Sequence, residues 1–189
     1  MEFKKLCKYK DGDILNFMEK MEILTANPSD FEAIKALMLE ALQNDPTAFS
    51  VDFDNYSKNS NEWWKNYLFG YIHGYNATML LTRTGNEIAG MIGILFDSNR
   101  RRSHVASIVW FYVKSGYRHN GIGKKIFEEA MRVIKGKPEI RKITLLVNHP
   151  QEHAIKIYKD FGFKIAGTLK NELIINNEPV SEYILECFV

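Results

Sequence analysis

An unbroken apolar run, Ile108-Val109-Trp110-Phe111-Tyr112-Val113, is followed by a run of helical period from Ile122 to Ile134. Between them lies a turn that holds Gly116, Arg118, Gly121 and Gly123 and no acidic residue. The first run reads as a strand buried on both faces, because nothing in it alternates with polar residues. The second carries Ile122, Ile126, Phe127 and Ile134 along one helical face. A buried strand that feeds an amphipathic helix needs a sheet beneath it, so the chain is committed to an α/β architecture.

The remaining segments fit around that unit. Glu22–Ala26 reads as a short strand. Ser29 and Glu32 have the spacing of a capping box ahead of a helix with Phe31, Ile34, Leu37, Met38 and Leu42 on one face. Asn44-Asp45-Pro46 ends it. Asn61–Ile72 forms a second helix rich in aromatics, which Gly70 and Gly74 weaken or finish. Strands are expected over Thr78–Arg83 and Glu87–Phe96 about Thr84-Gly85-Asn86, and then over His104–Val113. Gly136 and Pro138 stop the helix that begins at Ile122. Lys142–Val147 is a strand of buried type, and a helix runs from Pro150 to Phe161-Gly162. Strands Phe163–Ile175 and Pro179–Phe188 flank Asn176-Asn177, a hairpin turn. The order is β-α-α-β-β-β-α-β-α-β-β. Residues 1–20 read as an N-terminal extension, and residues 21–189 as one domain.

Several function classes fall away on composition. The chain has 189 residues and a formal net charge of +2, too small a field to suggest a nucleic-acid or membrane binder. No apolar stretch approaches the roughly 20 residues of a membrane span. Asp11, Asp13 and Glu19 interrupt any signal core, and the two cysteines, Cys7 and Cys187, show no pairing pattern. We expect a cytoplasmic protein. No HExxH or CxxC spacing supports a metal site. A homodimer is compatible with the sequence.

The turn suggests an anion. The first amides of a helix have no intrahelical partner, the peptide dipoles add positive charge there, and phosphate is the common guest. Gly121 and Gly123 allow close approach of backbone to ligand, with Arg118, Lys124 and Lys125 nearby. The turn is neither a P-loop, since Gly116 and Gly121 have its gap but Ile122 follows where lysine is needed, nor a dinucleotide fingerprint, whose third glycine is replaced by Ile126. A plain glycine-rich connection would look the same.

Arg118-His119-Asn120-Gly121-Ile122-Gly123 resembles the [Arg/Gln]-x-x-Gly-x-[Gly/Ala] signature of the GNAT N-acetyltransferase superfamily, with strand before and helix after. A second block, Ala154-Ile155-Lys156-Ile157-Tyr158-Lys159-Asp160-Phe161-Gly162-Phe163, resembles the family's A-hyd-x-hyd-Tyr-x-x-x-Gly-Phe run, and Asp45-Pro46-Thr47-Ala48-Phe49 is similar to bacterial members. The resemblance covers about residues 21–189.

It implies the GNAT fold, a mixed and mostly antiparallel central sheet flanked by helices. It also implies acetyl-CoA as co-substrate and a small-molecule or peptide amine as acceptor. By the same resemblance the diphosphate would lie on the amides of His119, Asn120, Gly121, Ile122, Gly123 and Lys124, beside Arg118. The pantetheine arm would run along the strand end at Tyr112 and Val113. The Val113 N–H would serve the thioester oxygen, and Tyr158 would give a proton to the departing thiol. From its spacing alone, Tyr158 reads as a core tyrosine with a satisfied hydroxyl; the resemblance favours the catalytic role.

Some positions depart from the family. Val113-Lys114-Ser115 replaces Val-x-Pro. Gln151 stands where an asparagine is usual, and Asn148 is its nearby substitute as a CoA contact. Trp110, Phe111 and Tyr112 offer no carboxylate as general base; Glu172, Asp97 and His104 are unranked candidates. That gap leaves a second reading open, a non-catalytic module that binds or senses acyl-CoA. The aromatics Trp63, Trp64, Tyr67, Phe69 and Tyr71 either wall an acceptor pocket or pack their helix on the sheet. Arg100-Arg101-Arg102 reads as a solvated turn, with a grip on a CoA phosphate as the alternative.

Overall fold

The structure, a computed structural model, describes residues 21–85 and 87–189; the extension expected over residues 1–20 lies outside the described residues. The strands are β1 (Met21–Thr25), β2 (Ala77–Thr84), β3 (Glu87–Phe96), β4 (Val105–Val113), β5 (Lys142–Asn148), β6 (Lys164–Ile175) and β7 (Glu178–Phe188). They form a seven-stranded sheet in the order β1-β2-β3-β4-β5-β7-β6. Neighbours are antiparallel except β4 and β5. Parallel neighbours need a crossover, and here it is the helix α4 (Ile122–Lys135). The other helices are α1 (Phe31–Asn44), α2 (Phe53–Ser57), α3 (Asn61–His73) and α5 (Glu152–Asp160). Among the described residues no helix is long and apolar enough to cross a membrane.

Strand β2 shows how the core divides. Met79, Leu80 and Leu81 are all buried; Met79 and Leu81 join the cluster with α1 and α3, and Leu80 joins the cluster with α4 and α5. Alternate side chains of a strand reach opposite faces, so an apolar run of this kind needs helices on both sides. The expected apolar face of α1 is buried at Ile34, Leu37, Met38 and Leu42.

Two local expectations are corrected. The capping box lies at Asn27 and Asp30, not Ser29 and Glu32. The Asn27 N–H donates to the Asp30 carboxylate at 2.9 Å, and the Ser29 N–H donates to Asn27 at 3.0 Å. Asp30 is drawn inward by its ion pair with Arg83, which fixes the turn two residues early. Helix α2 was not anticipated, because five residues are too few to show a period; Asp52 caps it by accepting from the Asn55 N–H at 2.9 Å.

The central irregularity is in β4. Its pairing with β3 steps from Met91↔Tyr112 to Gly93↔Val109, so Trp110 and Phe111 together face Ile92, and Trp110 has φ of 50°. This extra residue breaks the alternation. Ala106 and Ile108 face α4, Val109 and Trp110 both face α1 and α3, and Phe111 returns to the α4 side. A bulge bends its strand and increases the twist. Accordingly β4 pairs with β5 only from Val105↔Lys142 to Ser107↔Thr144, where the two hydroxyls of the last pair meet at 3.1 Å. Beyond them the two strands part and leave a gap.

Candidate active site

The gap is closed at one end by the turn from β4 to α4. The Lys114 N–H donates to the Ala89 carbonyl at 2.9 Å, and Ser115–Tyr117 makes a 3-10 turn. His119 (φ 64°) and Gly121 (φ 76°) are left-handed, and Gly121 caps α4 with no side-chain hydrogen bond. Left-handed residues at alternate positions turn successive N–H groups into a concavity that suits an anion. Among the described residues, the amides of His119 to Lys124 meet no acceptor. At Gly123 α4 packs close on β4, where a Cβ would make an ordinary contact with the Phe111 ring at 3.4 Å. The His119 ring meets the His153 ring at 5.9 Å, edge to face, which sets the start of α5 beside the turn.

Charges brace the turn from behind. Arg118 donates from Nε to the Val113 carbonyl at 2.8 Å, pairs with Asp45, and lies over the Tyr112 ring. Lys114 pairs with Glu87 at 2.7 Å and Glu40 at 3.4 Å, and the Tyr117 hydroxyl donates to Glu87 at 2.6 Å. Hydrogen bonds from Lys114 and Tyr117 hold the Glu87 carboxyl below the usual range.

In an antiparallel ladder, consecutive residues direct their N–H and C=O to opposite edges. Because Lys114 bonds to β3, Val113 turns its own N–H and C=O toward the gap. The carbonyl is taken by Arg118, and the N–H is what the strand end offers there. Tyr158 approaches from α5. Its ring lies 6.1 Å from Phe111, two residues from Val113, and 5.4 Å from Phe127. Burial alone pushes its phenol above the ordinary value, so it stays protonated at neutral pH.

Across the other face of the gap runs the segment Asp45–Ser50. It is fastened at several points: Asp45 to Arg118, the Thr47 carbonyl to the Asn148 amide at 3.1 Å, and the Ser50 hydroxyl to Glu182 at 2.6 Å. The Phe49 ring lies 5.4 Å from Trp110 and 6.4 Å from Tyr112. Behind it, Trp110 Nε1 donates to the Tyr67 hydroxyl at 2.9 Å, and Tyr67 stacks on Trp63 at 4.9 Å. Trp64 and Tyr71 are buried under α3. Of the two roles weighed for the aromatic helix, packing on the sheet is seen at Trp64 and Tyr71, while Trp63 and Tyr67 extend forward with Trp110. Phe69 does neither and is exposed.

Residues 37–163 of the sequence match the Acetyltransferase (GNAT) family. The chain belongs to that family. Over 99 residues it is 30% identical to the L-amino acid N-acetyltransferase of Escherichia coli (strain K12), a match that takes in 52% of this chain and 60% of that protein's length. An acetyltransferase of the GNAT family from Streptococcus pneumoniae superposes with a TM-score of 0.78 at 23% identity, covering 89% of this chain and 99% of that one. The spermidine N-acetyltransferase of Vibrio cholerae, in complex with CoA and spermine, superposes with a TM-score of 0.73 at 14% identity, covering 90% and 96%. At such identities the structural likeness is one of fold, and it is the GNAT fold that the sequence led us to expect.

Around the gap of this GNAT chain the structure gathers the backbone of Tyr112 and Val113, the turn from Arg118 to Lys124, Asn148 and Gln151 at the end of β5 and start of α5, and Tyr158. The Gln151 side chain makes no cap bond to α5. Two expected side-chain contacts are already engaged: Arg118 by Val113 and Asp45, and Asn148 by Thr47. Among the general-base candidates, Asp97 and His104 lie at the wrong end of β4. Asp97 is bound by Arg102 there, and eight residues at about 3.3 Å each separate Val105 from Val113. Glu172 is exposed on β6, at the edge of the sheet. The Arg100-Arg101-Arg102 turn shares that far end, away from the amides of α4.

The strap residues Asp45 and Ser50 and the buried Glu182 went unassigned in the sequence. Alternation along Glu182-Tyr183-Ile184-Leu185 puts Glu182 on the face opposite the core residue Leu185, the pattern of a surface acid, so its burial could not be read from the sequence.

Proposed function

We propose that this chain transfers an acetyl group from acetyl-CoA to a primary amine by direct attack, with residues 21–189 acting as one catalytic unit. What carries the reading is convergence on one gap: unpartnered amides at the mouth of α4, a strand edge freed by the bulge, the Val113 N–H, and the protonated Tyr158. Acetyl-CoA supplies an acyl group activated as a thioester. The amides of His119 to Lys124 hold its diphosphate. The open edge of β4 takes the amides of its pantetheine arm as a strand edge takes another strand. The Val113 N–H faces the carbonyl oxygen where negative charge develops. Tyr158 hands its proton to the leaving sulfur.

The acceptor is a primary amine reached from the side of the strap. The Escherichia coli relative is named for L-amino acids and the Vibrio cholerae protein was crystallised with spermine, so both classes belong in a screen. Release of free thiol from acetyl-CoA, with amino acids, polyamines and peptide N-termini offered in turn, tests the reading. Tyr158→Phe lowers turnover about a hundredfold and leaves CoA affinity unchanged. CoA binding with no thiol released by any amine would instead make the chain a sensor of acyl-CoA.

A further inference from the structure

We infer that Glu182 seats the ammonium of the acceptor and takes its proton, an assignment that rests on the amine-transfer reading above. Glu182 is 4% exposed, and among the described residues no lysine, arginine or histidine pairs with it. Its carboxylate accepts one side-chain hydrogen bond, from the neutral Ser50 hydroxyl at 2.6 Å. A carboxylate so enclosed is ordinarily matched by a cation. No cation of the protein meets it, which leaves its site open to one from outside.

Its position agrees with that. Glu182 pairs across β7 and β5 with Asn148 and across β7 and β6 with Leu169. Asn148 ends β5, so the carboxylate stands one strand beyond the gap. Tyr183, next in sequence, packs on the α4 and α5 side, so Glu182 faces the opposite side, that of the strap and the aromatics. The polar groups near it there are the Ser50 hydroxyl and the Asn148 amide, whose Nδ2 is held by Thr47. The neighbouring His149 turns its ring to Tyr183, on the other face. Ser50 itself is exposed, so the carboxylate lies just beneath the surface at the strap.

The proton balance closes. The incoming R–NH3+ gives one proton to Glu182. The nitrogen lone pair then forms the C–N bond as the C–S bond breaks. The second nitrogen proton, shed with amide formation, balances the proton that Tyr158 gives to sulfur, and solvent resets both residues.

Glu182→Gln tests this, since it keeps the shape and the Ser50 bond but removes the charge. With an amine that the wild type acetylates, kcat/KM falls at least tenfold at pH 7. The remaining rate climbs about tenfold per pH unit, following the free-amine fraction of the acceptor, while the wild-type profile is flatter. Glu182→Asp recovers part of the rate. The thermal midpoint of Glu182→Gln stays level or rises, because no ion pair is lost and the Ser50 bond is kept. An unchanged rate and pH profile, or a lowered midpoint that marks Glu182 as a structural tie for the strap, overturns the assignment while the transfer reading stands. If the wild type acetylates no amine, the transfer reading fails and the assignment goes with it.

Discussion

Beneath α4 and α5 the sheet is covered by Ile, Leu and Val with a few phenylalanines, whereas beneath α1 and α3 it meets Trp64, Tyr71, Trp110 and Tyr112, with Trp63, Tyr67 and Phe49 in front. The first side binds the donor in the reading above, and the second receives the acceptor. They also differ in how they are assembled. The donor side draws on contiguous stretches, Val113 to Lys124 and Ala154 to Phe163. The acceptor side is put together from the strap, α3, the bulge of β4, and Asn148 with Glu182, brought together only by folding. A chain that must present fixed amides to one invariant ligand can encode them in a single turn. A surface fitted to a particular amine is distributed.

The largest separation of the two sides is expected from Gly121→Val. Its φ of 76° is strained for a β-branched residue, and the amides it orders would turn away. CoA affinity by calorimetry falls about a hundredfold. The converse is Gly93→Ala. A Cβ there would lie 3.0 Å from Val109 Cγ2 and 3.1 Å from Tyr71 Cε1, against the bulge. It costs about 2 kcal/mol of stability in urea unfolding, and CoA affinity falls far less than in Gly121→Val. Equal loss of CoA affinity in both variants would mean that the sides are not separable.

The smallest effect concerns the phenols. Burial pushes Tyr71 up to about 12 and also raises Tyr67 and Tyr158. Their pKa values when unfolded are near 10. The folded values are higher, so the stability they confer is intact below pH 10 and is lost as pH rises beyond it. Two of the three stand on the acceptor side, so Tyr158→Phe removes the smaller part of the alkaline slope. Denaturant melts between pH 8 and 12 measure it.

This division also explains what could be read in the sequence. The limits of α4 were plain because Ile122, Ile126, Phe127 and Ile134 repeat with its period and Gly136 follows. The hairpin between β6 and β7 was plain because Asn176 and Asn177 both tolerate positive φ, at 53° and 63°. Long-range pairings left no such trace. Ser29 looked like the better cap until Arg83, distant in sequence, claimed Asp30. Arg118 looked free for phosphate because Asp45 is far away along the chain. Glu182 drew no assignment because Ser50, the partner that covers it, is 132 positions away.

The surplus residue in β4 has one more implication. Shortening Val109-Trp110 by one would restore the zipper with β5 and swap the sides to which the residues before it point. The product would be a better sheet and a mute protein, its entrance sewn shut. In the reading above, a single-codon loss in this strand should be among the least tolerated changes.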